Sequence, residues 1–135
     1  MLLLIMYKTH TKGILGELAF TYRLIEKGFT VLTPTNQNSS YDLVAEKEGK
    51  FTRIQVKYRT PIKGILRVEL YRPLKPDKLY FERDVDAMGL YDPLNHKFYL
   101  IPLDVIKTKS EFWIRINEPK GRKSKAMHFA SEFEI

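Results

Sequence analysis

No cysteine occurs in this sequence. That excludes a disulfide framework and any thiolate zinc site, restricts metal ligation to oxygen or histidine, and makes a reducing cytoplasm the expected compartment. The three histidines, His10, His96 and His128, have no metal-ligand spacing and are expected at the surface or in loops. Neither a glycine loop for a nucleotide phosphate nor a nucleophile elbow is present. Internal repeats and low-complexity stretches are also missing, which argues against a solenoid or a disordered chain. The apolar opening Met1-Leu2-Leu3-Leu4-Ile5-Met6 has no basic leader, no full apolar region and no small-residue cleavage site. A strand, a tucked end or an intersubunit contact is expected there, and no membrane partner.

The sequence has the makings of one domain, residues 1–135, whose 44% apolar and 13% aromatic content suits a packed core. A formal net charge of +7 favours anionic partners such as nucleic acid. Between Lys107 and Lys125 stand seven Lys or Arg residues and two acids, so this stretch holds most of the net charge. Within it Arg115, Lys120, Arg122, Lys123 and Lys125 surround Trp113 and precede Phe129, a pattern suited to phosphate contacts with some stacking. The alternative is a solvated basic face.

Apolar residues Ile14, Leu15, Leu18, Tyr22 and Ile25 recur at three- and four-residue intervals and predict an amphipathic helix from about Lys8, capped by Gly28. A short strand is expected at Phe29–Thr33, closed by Pro34, followed by the polar loop Asn36–Ser40. Tyr41–Lys47 and Phe51–Arg59 read as a hairpin. Further strands are expected at Ile65–Tyr71 and Phe112–Ile116, with a second hairpin of Val85–Tyr91 and Phe98–Ile101 around Asp92-Pro93-Leu94-Asn95-His96. Arg72–Asp77, with two prolines, is expected to be irregular and outside the central sheet. Ala126–Phe133 is expected to be a short terminal helix.

The chemistry gathers on the first hairpin. With Gly49-Lys50 as its two-residue loop, Glu48 pairs with Phe51 and Asp42 falls opposite Lys57, with Gln55 diagonal and on the same face. Leu43, Ile54 and Val56 then point the other way, into a core. An acid, an amide oxygen and a lysine on one face suit a divalent metal beside a phosphate: Asp42 as ligand, Gln55 as an uncharged hard ligand, Lys57 at the phosphate or the attacking water. Glu17, at the edge of the helix stripe, is placed to lean toward Asp42 as a further ligand or to orient a water. Gly13 and Gly16 each cost a helix roughly 1 kcal/mol relative to alanine, which points to close approach of a sheet or a phosphate backbone. Asp42 as a turn residue, Gln55 and Lys57 as an edge-strand face, and Glu17 as a surface acid are the plain alternatives. Asp84 and Asp86 share a strand face and are expected to be solvated or structural.

Taken together, Gly13-x-x-Gly16-Glu17, Tyr41-Asp42-Leu43-Val44 and Ile54-Gln55-Val56-Lys57 resemble the PD-(D/E)xK nuclease superfamily, with Gln55 in place of its usual acid. Val85–Tyr91 and Lys97–Pro102 extend the likeness toward the branch that includes intron-encoded homing endonucleases, which is similar in carrying that glutamine. The resemblance implies an α/β, restriction-endonuclease-like core with a mixed β-sheet flanked by helices. It further implies Mg²⁺-dependent cleavage of double-stranded DNA, with Mn²⁺ able to substitute, at a site of Glu17, Asp42, Gln55 and Lys57. A homo-oligomer is implied too, a tetramer ahead of a dimer. A junction-selective resolvase and a catalytically decayed DNA-binding module are the rival expectations.

Overall fold

The computed structural model of the chain describes residues 7–36, 38–72, 75–79, 84–106, 111–117 and 128–135. Its opening helix α1 (Thr9–Glu26) ends as expected, with Gly28 at φ 90° and the N–H groups of Gly28 and Phe29 returning to the carbonyls of Ile25 and Leu24. Glycine meets that left-handed position without the penalty a Cβ would bring.

The face that α1 buries differs from the expected one. Gly16, Phe20 and Leu24, four residues apart, are buried, whereas Ile14, Leu18, Tyr22 and Ile25 lie on the outside and only Leu15 of the expected stripe is half-buried. Shape overrides hydrophobicity here. A Cβ on Gly16 would lie 3.4 Å from Cβ of Tyr58 and 3.6 Å from Cγ1 of Val56, so glycine brings the helix axis close to the sheet, and Phe20 and Leu24 fill the space beyond it. Gly13 has nothing within 4 Å, so close approach to the sheet explains only the second glycine.

A five-stranded mixed sheet carries the helix, in the order β1 (Thr30–Leu32), β2 (Leu43–Lys47), β3 (Lys50–Tyr58), β7 (Ala87–Asp92), β8 (Lys97–Pro102). All neighbours are antiparallel except β3 and β7, which run parallel. Residues 54 and 56 of β3, with Leu43 and Ala45, face Phe20 and Leu24 in one core. Met88 and Leu90 point to the opposite side, into a second core closed by a three-stranded sheet of β10 (His128–Phe129), β9 (Glu111–Arg115) and β4 (Ile65–Glu69). The layers are therefore helix, mixed sheet and small sheet. The expected α/β, restriction-endonuclease-like core with a mixed sheet is present; among the described residues α1 is the one α-helix, on one face of the sheet, and strands cover the other.

Two further segments depart from expectation. Lys75–Leu79 forms strand β6, paired with β5 (Tyr71–Arg72) in a separate two-stranded ribbon, so Pro76 does sit in a strand, but outside the central sheet. The expected terminal helix is instead β10 followed by one 3-10 turn, Ala130–Glu132, among its described residues. His128 and Phe129 pair in parallel with Ile114 and Arg115, and the bond from the Leu100 N–H to the Phe133 carbonyl ties the tail to β8. The hairpin of β7 and β8 forms as expected. Fully buried Asp92 accepts the N–H groups of Leu94 and Asn95, and its other oxygen accepts the Asn95 amide at 2.8 Å.

Candidate active site

Strand β2 reaches the site through a two-residue turn set one residue earlier than expected. Lys47 pairs with Lys50 and Glu46 with Phe51, so the two-residue loop is Glu48-Gly49, both at positive φ (53° and 80°). The register is thus two residues away from the expected pairing of Glu48 with Phe51. A two-residue shift keeps every side chain on its face. It does change the neighbours: Leu43 faces Ile54, and Asp42 is not opposite Lys57.

The ladder ends irregularly at that point. Asp42 donates its N–H to the carbonyl of Ile54 at 2.9 Å, the residue that Leu43 already faces, so two residues of one strand share a partner, as in a β-bulge. This re-aims the Asp42 side chain, and Oδ2 accepts the N–H of Val56 at 2.9 Å. A mostly buried carboxylate is thereby fixed between α1 and β3.

Glu17 meets it from α1. It follows Gly16, whose lack of a side chain brings that turn of the helix against Val56 and Tyr58. Burial, then the charge of Asp42 and a hydrogen bond given to it, push the Glu17 carboxyl up to about 7. Burial also raises Asp42, against the opposing pull of the Val56 N–H and the Lys57 charge. The hydrogen bond between the two raises Glu17 and lowers Asp42, so it runs from the Glu17 carboxyl to Asp42. Lys57 lies on β3 beside this pair, its ammonium pushed down by burial and by Arg59, and supported by Asp42 and Glu69.

Gln55 sits half-buried on β3, on the face it shares with Lys57 by strand alternation. Arg59, which the sequence argument passed over, continues that face. Its guanidinium bonds the Tyr58 carbonyl at 2.9 Å and stands 4.0 Å from Glu69. The alternation 55, 57, 59 was the available signal for it. Of the basic residues expected to contact DNA, Arg115 is half-buried on β9, while Lys120, Arg122, Lys123 and Lys125 lie outside the described residues, as does the Met1–Met6 run. Asp86 is structural as expected, gripped by Arg53 through both its backbone N–H and its guanidinium at 2.8–3.1 Å. His10 is exposed, His96 stands in the β7–β8 turn, and His128 packs on Phe112.

The donor set suits a hard divalent cation. Among the described residues no three His, Cys, Asp or Glu side chains come together. What is present is two carboxyl groups joined by a hydrogen bond, with the Lys57 ammonium nearby. One or two carboxylates with water and phosphate completing the shell is the usual arrangement for Mg²⁺.

A family model described as PD-(D/E)XK endonuclease matches residues 7–135. The chain belongs to that family. Among solved structures this PD-(D/E)XK endonuclease is similar to the bacterial homing endonuclease I-Ssp6803I, at 26% identity and a TM-score of 0.76 over 95% of this chain and 89% of the other. It shares its fold with the Holliday junction resolvase Hjc of Archaeoglobus fulgidus, at 21% identity and a TM-score of 0.53 over 77% and 84% of the two chains. It also matches protein 5.3 of Escherichia phage T7, at 37% identity over 57 residues. That match takes in 42% of this chain and about half, 48%, of the phage protein. PD-(D/E)XK nucleases generally use divalent metal ions. Among the described residues no helix is long and apolar enough to cross a membrane.

Proposed function

We propose that this PD-(D/E)XK endonuclease is a metal-dependent, site-specific double-strand DNA endonuclease of the homing type. The observation that carries the proposal is the meeting of Glu17, Asp42 and Lys57, two carboxyl groups joined by a hydrogen bond beside a partly desolvated ammonium. The likeness to a homing endonuclease over most of both chains supports it.

In this reading Asp42 is the principal metal ligand, Glu17 and the Gln55 amide oxygen complete or tune the shell, and the ion is Mg²⁺, with Mn²⁺ able to substitute. A cation there would supply Lewis-acid activation of water and charge neutralisation at the phosphate. The bond from Val56 fixes the orientation of the Asp42 carboxylate before any substrate binds. Burial of Lys57 strengthens its hold on a non-bridging phosphate oxygen or on the attacking water. To serve as a ligand, Glu17 would have to be in its ionised form. Lys120, Arg122, Lys123, Lys125 and Arg115 supply phosphate contacts along the duplex. A cytoplasmic protein assembled as a symmetric oligomer, a tetramer ahead of a dimer, completes the proposal, since one small domain reads few base pairs.

The test is cleavage of duplex DNA carrying the sequence around this reading frame, with Mg²⁺, against EDTA and against Asp42→Asn. Cleavage that persists in EDTA or in Asp42→Asn would overturn the mechanism. Preferential cutting of four-way junctions would assign the resolvase activity instead. Binding without cutting would mark a decayed module.

A further inference from the structure

The outward stripe of α1 is the least explained surface of the molecule. Ile14, Leu18, Tyr22 and Ile25 are 46%, 63%, 67% and 59% exposed. At 100° per residue they fall within a sector of about 80°, nearly opposite Phe20, so they form one continuous apolar strip. Scattered exposed apolar residues need no explanation, but a continuous strip of this kind marks a contact.

The charges beside the strip select its occupant. One flank carries Lys8 and Lys12 toward the N-terminal end and, at the C-terminal end, Glu26, whose carboxylate also takes Arg23 of its own helix at 3.4 Å. At 1.5 Å per residue, Lys12 lies about 11 Å to one side of the midpoint between Ile14 and Ile25, and Glu26 about 10 Å to the other. A two-fold axis through that midpoint, reversing the helix, sets Lys12 of one copy level with Glu26 of the next, on the same flank. It also opposes the two helix dipoles.

We infer that the outward face of α1 is a self-complementary interface that takes a second copy of this chain in antiparallel orientation. Leu18 and Tyr22 of each copy interleave at the axis, and the Lys12 and Glu26 pairs close the rim. Glu17 lies about 100° round the helix from Leu18, on the flank away from Lys12. The same two-fold keeps both Glu17 flanks on one side of the paired helices, so the two sites open toward a common surface. This inference shares with the proposed function only the presence of more than one copy; assembly and cleavage can fail separately.

The experiment measures mass by sedimentation across a dilution series of the full chain, with no DNA and no activity readout. Wild type should populate an assembly containing the dimer. Leu18→Glu and Tyr22→Glu should each raise the dissociation constant by at least about tenfold while leaving the thermal midpoint of the fully dissociated chain unchanged, since neither side chain serves the fold. Lys12→Glu should weaken association, and Lys12→Glu combined with Glu26→Lys should restore it; these surface changes keep the test informative should an apolar variant misfold. A wild type monomeric at every concentration, or an assembly indifferent to Leu18→Glu and Tyr22→Glu, overturns the inference. Failure of the double charge exchange to restore pairing overturns the antiparallel arrangement.

Discussion

The carboxylate of Asp42 accepts the N–H of Val56 at 2.9 Å, one residue before Lys57 on the same strand. The acid and the lysine of the site are therefore held by one backbone segment. Asp42→Asn retains an oxygen for the Val56 N–H, so its unfolding free energy should stay within about 1 kcal/mol of wild type. Loss of the charge should still reduce cleavage by about 10²–10³-fold or more. Asp42→Ala should add a stability loss of about 1–3 kcal/mol, because it leaves a buried donor unsatisfied. Denaturant unfolding and plasmid cleavage of the two variants separate these effects.

The paired acids predict a pH dependence whose sign is opposite to that of most carboxylates. Glu17 titrates at about 7 in the fold against an ordinary 4.5, and burial raises Asp42 as well. The folded state thus favours the protonated form. Its contribution is complete below about 4.5 and is lost as pH rises through about 7. Metal-free protein should lose thermal stability across that window, and Glu17→Gln should flatten the loss. Mg²⁺ affinity should rise over the same range, since the cation needs both groups ionised. Thermal midpoints against pH, with and without Mg²⁺, read both trends.

Replacing Gln55 by Glu would add a carboxylate to the face of Lys57. Mg²⁺ should bind roughly an order of magnitude more tightly, following the usual dependence of affinity on ligand charge. Without metal the variant should be less stable than wild type at neutral pH, from repulsion among the acids. A calorimetric Mg²⁺ titration and an unfolding curve in EDTA decide both points.

Two glycines should respond in opposite directions to alanine. A Cβ on Gly89 would stand 2.9 Å from Cζ of Phe20 and 3.0 Å from Cγ2 of Ile54, both in the core, so Gly89→Ala should cost about 1–3 kcal/mol. Gly13 sits within α1 in open space, and Gly13→Ala should stabilise by about 1 kcal/mol. Should the Gly13 variant bind DNA more weakly despite that gain, a phosphate passes over this turn of the helix.

Where chemistry acts on one or two residues, the sequence was legible. Gly28 announced the end of α1 because only the left-handed region closes that helix, and the Asp92-Pro93-Leu94-Asn95-His96 run announced the second hairpin. Opposing faces of β3 were readable from alternation alone, so Gln55 and Lys57 were placed on the side away from Ile54 and Val56. The partner of Asp42 was not readable. It depends on Glu48 adopting a left-handed conformation that a glutamate rarely takes, and on an extra residue at the ladder's end that alternation cannot register. The buried face of α1 was hidden for another reason: a glycine determined it, and hydrophobicity counts glycine as nothing. His128–Phe129 forms a strand because Ile114 and Arg115 offer an edge, information that lies in another part of the chain.

The fit of Phe20 against Gly89 does more than fill space. A ring seated over a bare stretch of backbone acts as a mechanical stop, fixing how far α1 can slide along the sheet. Glu17 rides the same helix about one turn away, roughly 4.5 Å along the axis. The setting of the carboxylate against Asp42 is therefore calibrated on a strand that carries none of the proposed catalytic groups. Because catalysis loses about 10²-fold for a displacement near 1 Å, the notch at Gly89 is a tuning point for the reaction that a search confined to charged residues would pass by.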